Sequence, residues 1–253
     1  MVVANYGKPN IVRVNAAEDI AHAALEGFAE AAKRAIDEKG VFHVALSGGH
    51  TPERFFELLG ETETGRNIQW KNVQLFWVDE RCVEPDAEES NYGMAAHTFL
   101  DKVEIPVENV HRVSGEVKDY SIAVAEYEQT IRKVFGLEEG QFPSFDLMIL
   151  GMGDDGHIGS LFPNSAAHFD TQDIVAAVYL MSGGFSRITL THPVICAAKQ
   201  LFVLVSGDKK AQILKEVFQA EPDEVRYPVH SLWPILDKVK WIIDDDAGKL
   251  LTE

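Results

Sequence analysis

Two cysteines in 253 residues leave no disulfide framework to infer, and Cys82 and Cys196 fall in no CxxC or metal-ligand spacing. So few thiols in a chain this long suit a reducing compartment. No apolar run approaches the ~20 residues a membrane span needs. The stretch Met-Val-Val-Ala-Asn-Tyr-Gly-Lys-Pro at the start has no basic region followed by a long apolar one. The expected location is the cytoplasm. Positive charge is also scarce, with 23 Lys and Arg against 40 Asp and Glu, a formal net charge of -17. Such a surface repels nucleic acid and anionic membrane, so neither is expected as a partner, and an anionic ligand needs a local basic pocket. Acidic runs at Glu84 to Glu89 and Asp244 to Asp246 read as solvated charge, so no metal and no cofactor are assigned. Linkers, internal repeats and low-complexity tracts are absent, and 46% apolar residues suffice for a full core, so residues 1–253 are expected to form a single α/β domain.

What is present alternates in period. Ile11–Val14 reads as a strand, and Glu18–Lys39 places Ile20, Ala24, Phe28, Ala31 and Ala35 at helical spacing until Gly40 stops it. Further strands are expected at Val41–Leu46, Val73–Val78, Phe145–Leu150, Val175–Leu180, Leu201–Val205 and Trp241–Ile243. Helical patterns at Glu53–Leu59, Tyr92–Leu100, Tyr120–Phe135 and Lys209–Phe218 lie between them. The alternation predicts an α/β fold with a doubly wound, mainly parallel sheet, helices on both faces, and ligand loops at the carboxyl ends of the strands.

Five segments carry chemistry, with plainer alternatives beside them. Ser47-Gly-Gly-His-Thr-Pro52 reads as a strand-to-helix turn with Thr51 as N-cap and Pro52 as first helical residue. Its backbone N–H groups suit phosphate, or it is an ordinary glycine turn; no Gly-Lys-Ser/Thr follows, which excludes a P-loop. At Asp79-Glu80-Arg81, ending a strand, Arg81 either forks onto a phosphate or pairs with a nearby carboxylate. The apolar strand at Leu147–Leu150 runs into Gly151-Met-Gly-Asp-Asp-Gly-His157, where Asp154 and Asp155 are close enough to orient or charge-bias a rim histidine, or His157 is a hydrogen-bonded structural histidine. That loop also matches G-x-G-x-x-G, with Asp173 at the spacing of a ribose-binding acid. The match reads as accidental, because two carboxylates would face the pyrophosphate and Pro163 leaves little room for the required helix. His22 and His43 read as structural. Arg187-Ile-Thr-Leu-Thr191 and Ser206-Gly-Asp-Lys-Lys-Ala211 supply the remaining positive charge. A lysine at 209 or 210 in a first helical turn opposes the helix dipole unless an anion offsets it, or it is a solvated surface lysine.

In order and spacing these segments, with Trp77-Val-Asp-Glu-Arg81, Ser90-Asn91-Tyr92 and Ser160-Leu-Phe-Pro163, resemble the 6-phosphogluconolactonases over nearly the whole chain. The resemblance implies the Rossmann-like fold of the glucosamine-6-phosphate deaminase superfamily. It also implies hydrolysis of 6-phospho-D-glucono-1,5-lactone, the second step of the oxidative pentose phosphate pathway, without a cofactor. The deaminases share the Asp-Gly-His loop but carry a glutamate five positions after the histidine, which here is Phe162; this favours the lactonase branch. Departures from the family pattern are His50 for serine, Ile158-Gly159 for Thr-Ala, and Asn164 for glycine. They leave the contacts to substrate near position 50 open.

By that resemblance His157 is the general base that activates water, and Asp155 orients its ring. Ser47, Gly48, Gly49, Thr51, Arg81, Asn91, Arg187 and Lys210 surround the substrate and its phosphate, and Asp79 contacts the sugar. The partner is a small phosphosugar lactone, and the chain is expected to be a monomer or weak homo-oligomer. The rival classes are a phosphosugar deaminase or isomerase, told apart by ammonia release, and a non-catalytic phosphosugar-binding module, told apart by binding without rate acceleration.

Overall fold

The computed structural model describes residues 7–180 and 184–251; the start of the segment read above for a leader, residues 1–6, lies outside the described residues. In chain order the elements are β1 (Asn10–Val14), α1 (Ala17–Lys39), β2 (Phe42–Leu46), α2 (His50–Glu61), α3 (Glu63–Arg66), β3 (Val73–Trp77) and β4 (Asp79–Arg81). There follow α4 (Asn91–Thr98), β5 (Val110–His111), α5 (Tyr120–Phe135), β6 (Leu147–Gly151), β7 (Val175–Val178) and β8 (Arg187–Leu190). The last are α6 (His192–Ala197), β9 (Leu201–Val205), α7 (Ala211–Gln219), β10 (Val239–Asp244) and α8 (Asp245–Gly248). No helix among the described residues is long and apolar enough to cross a membrane.

Seven strands form one sheet in the order β1-β10-β9-β6-β2-β3-β5, and every neighbouring pair is parallel. All five residues of β2 and of β9 are buried, so elements cover both faces of the sheet, as unbroken apolar strands require. α1 supplies part of that cover. Its buried stripe includes Ile20, Ala24, Phe28, Ala31 and Ala35, and the helix stops where Gly40, at φ 79°, donates its N–H to Ile36 O at 2.8 Å. Phe28 packs edge-on against Phe42 at 5.3 Å and beside Phe55 and Trp70, burial worth roughly 2 kcal/mol for such a ring. At the other edge β5 pairs only with Leu75 and Phe76 of β3. The next main-chain groups of β3 are taken by Tyr127 of α5, whose hydroxyl donates to Trp77 O at 2.7 Å and accepts from Trp77 N at 2.9 Å.

From β2 the chain winds outward through β3 and β5, and from β6 it winds the other way through β9 and β10. The reversal opens a crevice at the carboxyl ends of β2 and β6, where Ser47 and Gly151-Met-Gly153 emerge.

A second, antiparallel sheet of β4, β8 and β7 stands above this crevice. Its strands depart from the expectations above. Asp79-Glu80-Arg81 is a strand of its own, separated from β3 by Val78, which donates to Leu46 O and accepts from Leu190 N. Arg187–Leu190, read above as a charged segment, is its partner. Strands of three and four residues with charged members show too little alternation to be recognised by pattern. β7 ends at Val178, leaving Tyr179 and Leu180 outside it.

At the opposite end of the sheet, His43 in β2 stacks on Phe135 at 4.3 Å. Burial, reinforced by the Lys39 charge, pushes its imidazole from 6.5 down to about 4. Between those values the unfolded chain binds a proton that the folded chain does not, so this contribution to stability is lost as pH falls from 6.5. From pH 6.5 to 5.5 this group is expected to remove about 1 kcal/mol of unfolding free energy. Thermal melts across that range should show a shallower slope in His43→Asn, and an identical slope would refute the assignment.

Candidate active site

A cavity of about 360 Å³ occupies the crevice. Ser47, Gly48, Gly49, Thr51, Asp79, Arg81, Asn91, His157, Arg187 and Lys210 all line it. Asp155 is the one expected site residue that is not on its wall; it stands behind His157. Met152, Ser160 and Phe162 complete parts of the lining and had no site role assigned from sequence.

The loop after β6 is shaped around His157. Gly153 donates its N–H to His157 O at 2.8 Å, closing a tight turn, and a Cβ at Gly153 would collide with the imidazole ring. His157 Nδ1 lies 2.6 Å from Asp155 Oδ1, and the same oxygen accepts the His157 main-chain N–H at 3.1 Å. With Nδ1 engaged by a carboxylate, Nε2 is left as the ring nitrogen able to take a proton. Burial works to raise the Asp155 carboxyl, but hydrogen bonding and the charge of His157 outweigh it and hold the carboxyl below its ordinary 3.8. Its support of the ring is therefore complete at neutral pH and lost only as pH falls through that lowered value. Phe162 packs its ring 4.4 Å from the imidazole. No helix follows Gly156, since the chain runs instead through an isolated bridge between Ile158 and Leu161. The resemblance of this loop to a dinucleotide fingerprint is accordingly coincidental.

Positive charge gathers across the cavity. Arg81 and Arg187 face each other directly in the β4–β8 register, a like-charge pairing that is unfavourable unless an anion sits between or beside the two. Burial and then the Arg81 charge lower the Arg187 pKa from its ordinary value. Arg81 donates to Glu89 O and Arg187 to Phe185 O, so both engage main-chain carbonyls. Lys210 closes a 3₁₀ turn at Asp208–Lys210 and sits at the N-cap of α7, which begins at Ala211, two residues later than expected. Its ammonium donates to Met152 O at 2.8 Å and pairs with Asp154. Asp154 thus serves Lys210 and leaves the histidine to Asp155.

The expected N-cap Thr51 is corrected: Gly49, at φ 108°, caps α2, and Thr51 is the second helical residue. Glycine reaches that backbone conformation without the strain a threonine would meet, so the helix begins at His50. Pro52 falls third, where a missing N–H costs nothing. Gly48 is required by close approach, because a Cβ there would fall within the Asn91 carboxamide. Asn91 donates to Asp79 O at 2.8 Å, while its Oδ1 and the Ser47 Oγ are buried polar atoms without a partner among the described residues. Asp79, buried, accepts from Ser160 Oγ at 2.7 Å.

Two carboxylates that sequence reasoning passed over hold these walls in place. Glu80, 2% exposed, accepts the main-chain N–H groups of Arg81, Asn91 and Tyr92 at 2.7, 2.8 and 2.7 Å, tying β4 to the start of α4. Burial raises its pKa against the pull of those three donors. Glu80→Gln turns an amide NH₂ toward N–H donors. The expected cost is about 1–3 kcal/mol of stability, with a raised KM as Arg81 and Asn91 shift; an unchanged Tm and KM would refute this role. Asp244 was read as solvated charge but is 3% exposed, accepting from Ser206 Oγ at 2.7 Å and from Gly207 N at 3.0 Å. It anchors the loop that delivers Lys210. Its neighbour Asp245 remains half-exposed in an ion pair with Arg13.

Residues 15–241 match the family described as glucosamine-6-phosphate isomerases/6-phosphogluconolactonase. The chain belongs to that family. A 6-phosphogluconolactonase of Nostoc sp. is 37% identical over 218 residues, covering 86% of this chain and 88% of the relative. One from Aggregatibacter actinomycetemcomitans is 35% identical over 209 residues, covering 83% and 87%. The solved 6-phosphogluconolactonase of Trypanosoma cruzi superposes with a TM-score of 0.86 at 28% identity, covering 98% of this chain and 100% of the other. For a member of the glucosamine-6-phosphate isomerase/6-phosphogluconolactonase family, the packing of Phe162 on His157 is a consequential detail. An apolar ring stands at position 162, where the resemblance drawn above sets a glutamate in the deaminases.

Proposed function

We propose that the chain hydrolyses 6-phospho-D-glucono-1,5-lactone to 6-phospho-D-gluconate in the cytoplasm, as the second step of the oxidative pentose phosphate pathway. The observation that carries the reading is a histidine, braced by Asp155 at 2.6 Å, on the wall of a cavity that also presents Arg81, Arg187 and Lys210. His157 Nε2 takes a proton from water as the oxygen attacks lactone C1. The tetrahedral adduct then collapses, the bond from C1 to the ring oxygen breaks, and the imidazolium returns the proton to that oxygen. Asp155 steadies the imidazolium in between. The three cations and the N–H groups of the Ser47–Gly49 turn hold the phosphate, which fixes C1 relative to His157. Asp79, kept in place by Ser160, accepts from a sugar hydroxyl. Proton release from freshly generated lactone, measured against its spontaneous hydrolysis, tests the reading. Acceleration without ammonia release from glucosamine 6-phosphate supports it, and ammonia release with no lactone acceleration would overturn it.

A further inference from the structure

Lys210 has two partners of different kinds. Met152 O is part of the loop backbone, whereas Asp154 reaches the ammonium with a side chain that is 77% exposed, against 22% for Lys210 itself. Asp154 does not line the cavity, and Lys210 does. An exposed carboxylate thus reaches in from solvent to neutralise a largely buried cation, in a cavity also lined by an arginine pair that carries unfavourable like charge. The cation also stands at the start of α7, where the helix dipole disfavours it, so an anion on the ammonium is favourable whichever group supplies it.

We propose that Asp154 sets the affinity of the cavity for phosphate, holding the Lys210 ammonium while the cavity is empty and yielding it to an incoming phosphate dianion. The proposal rests on the phosphosugar reading of the same cavity. A phosphate brings nearly two charges and three acceptor oxygens, and it can share them with Arg81 and Arg187, so it displaces a single carboxylate. Asp154 then returns to water at little cost, because it never left it. Binding is nevertheless weaker than to an unengaged lysine, by the same factor for substrate and product, which quickens product release. The exchange spares catalysis, since the His157 ring is held by the neighbouring Asp155.

Asp154→Asn removes the charge and keeps the size. Dissociation of inorganic phosphate, read by direct titration, and KM for the phosphorylated lactone are both expected to fall about two- to five-fold, the range of an exposed ion pair. Asp154→Glu should retain wild-type values. Two controls separate competition from a structural effect: KM for unphosphorylated glucono-δ-lactone should not move, and the gain should vanish in a Lys210→Ala background. Phosphate affinity that is unchanged or weaker in Asp154→Asn, or an equal gain with the unphosphorylated lactone, would overturn the proposal. The phosphate titration does not depend on turnover. Lack of lactone hydrolysis by wild type would therefore count against the proposed reaction alone, and the titration would still decide the part played by Asp154.

Discussion

His157→Ala is expected to lower kcat for the phosphorylated lactone by about 10²- to 10⁴-fold while KM changes little. A positioned acid–base group commonly contributes that factor, equivalent to roughly 3–5 kcal/mol of transition-state stabilisation. The binding groups lie elsewhere, on β4, β8 and the start of α7, so ground-state affinity should survive the loss of the imidazole. A fall in kcat and kcat/KM by the same factor is the signature of an interaction made only in the transition state. The fold should tolerate the change, because the histidine side chain is 28% exposed and its hydrogen-bond partner Asp155 is 48% exposed. Circular dichroism and a melt alongside the kinetics would separate chemistry from unfolding. Turnover within about tenfold of wild type would remove His157 from the base role.

Lys210→Ala should do the reverse, raising KM about 10- to 100-fold with kcat altered by only a few-fold. A hydrogen bond to a charged group in a partly buried site contributes about 1.5–3 kcal/mol, the range that sets the expected KM defect. Asp154, 77% exposed, turns to solvent when the ammonium is gone and adds nothing to that loss. An unchanged KM would place the phosphate elsewhere, and an equal loss in kcat would mean that Lys210 acts on the transition state instead.

What the sequence disclosed and what it concealed follow one physical line. β2, β6 and β9 are short apolar runs, and their burial in a parallel sheet, complete but for Gly151 at the site end of β6, is what such runs require. The long stripe of α1 and its stop at Gly40 were equally plain, since a 3.6-residue period over twenty-odd residues leaves few alternatives. The residues around the cavity were legible because the motifs, taken together in order, resemble the 6-phosphogluconolactonases; each strand-end segment alone also had a plainer reading. β4 and β8 stayed hidden because their short, charged sequences take their structure from each other, a pairing about a hundred residues apart in the chain. Glu80 and Asp244 stayed hidden for a different reason. A carboxylate that folds inward to collect main-chain N–H groups looks the same in sequence as one that faces water. Adjacency offered the available clue: Glu80 sits between two residues that line the cavity, and Asp244 ends an apolar strand flanked on both sides. The N-cap of α2 was misplaced because threonine is a strong capping residue, and only backbone geometry reveals that a glycine took the position first.

The central claim is that one cavity joins a histidine base to a phosphate clamp. Its most direct test is the ratio of kcat/KM for 6-phosphoglucono-δ-lactone to that for unphosphorylated glucono-δ-lactone, measured in wild type and in Lys210→Ala. The expected wild-type ratio is on the order of 10² or more, from several charge-assisted contacts to the phosphate, and it should fall at least tenfold in the variant. A ratio near one in wild type, with both lactones hydrolysed faster than their spontaneous rate, would contradict the clamp.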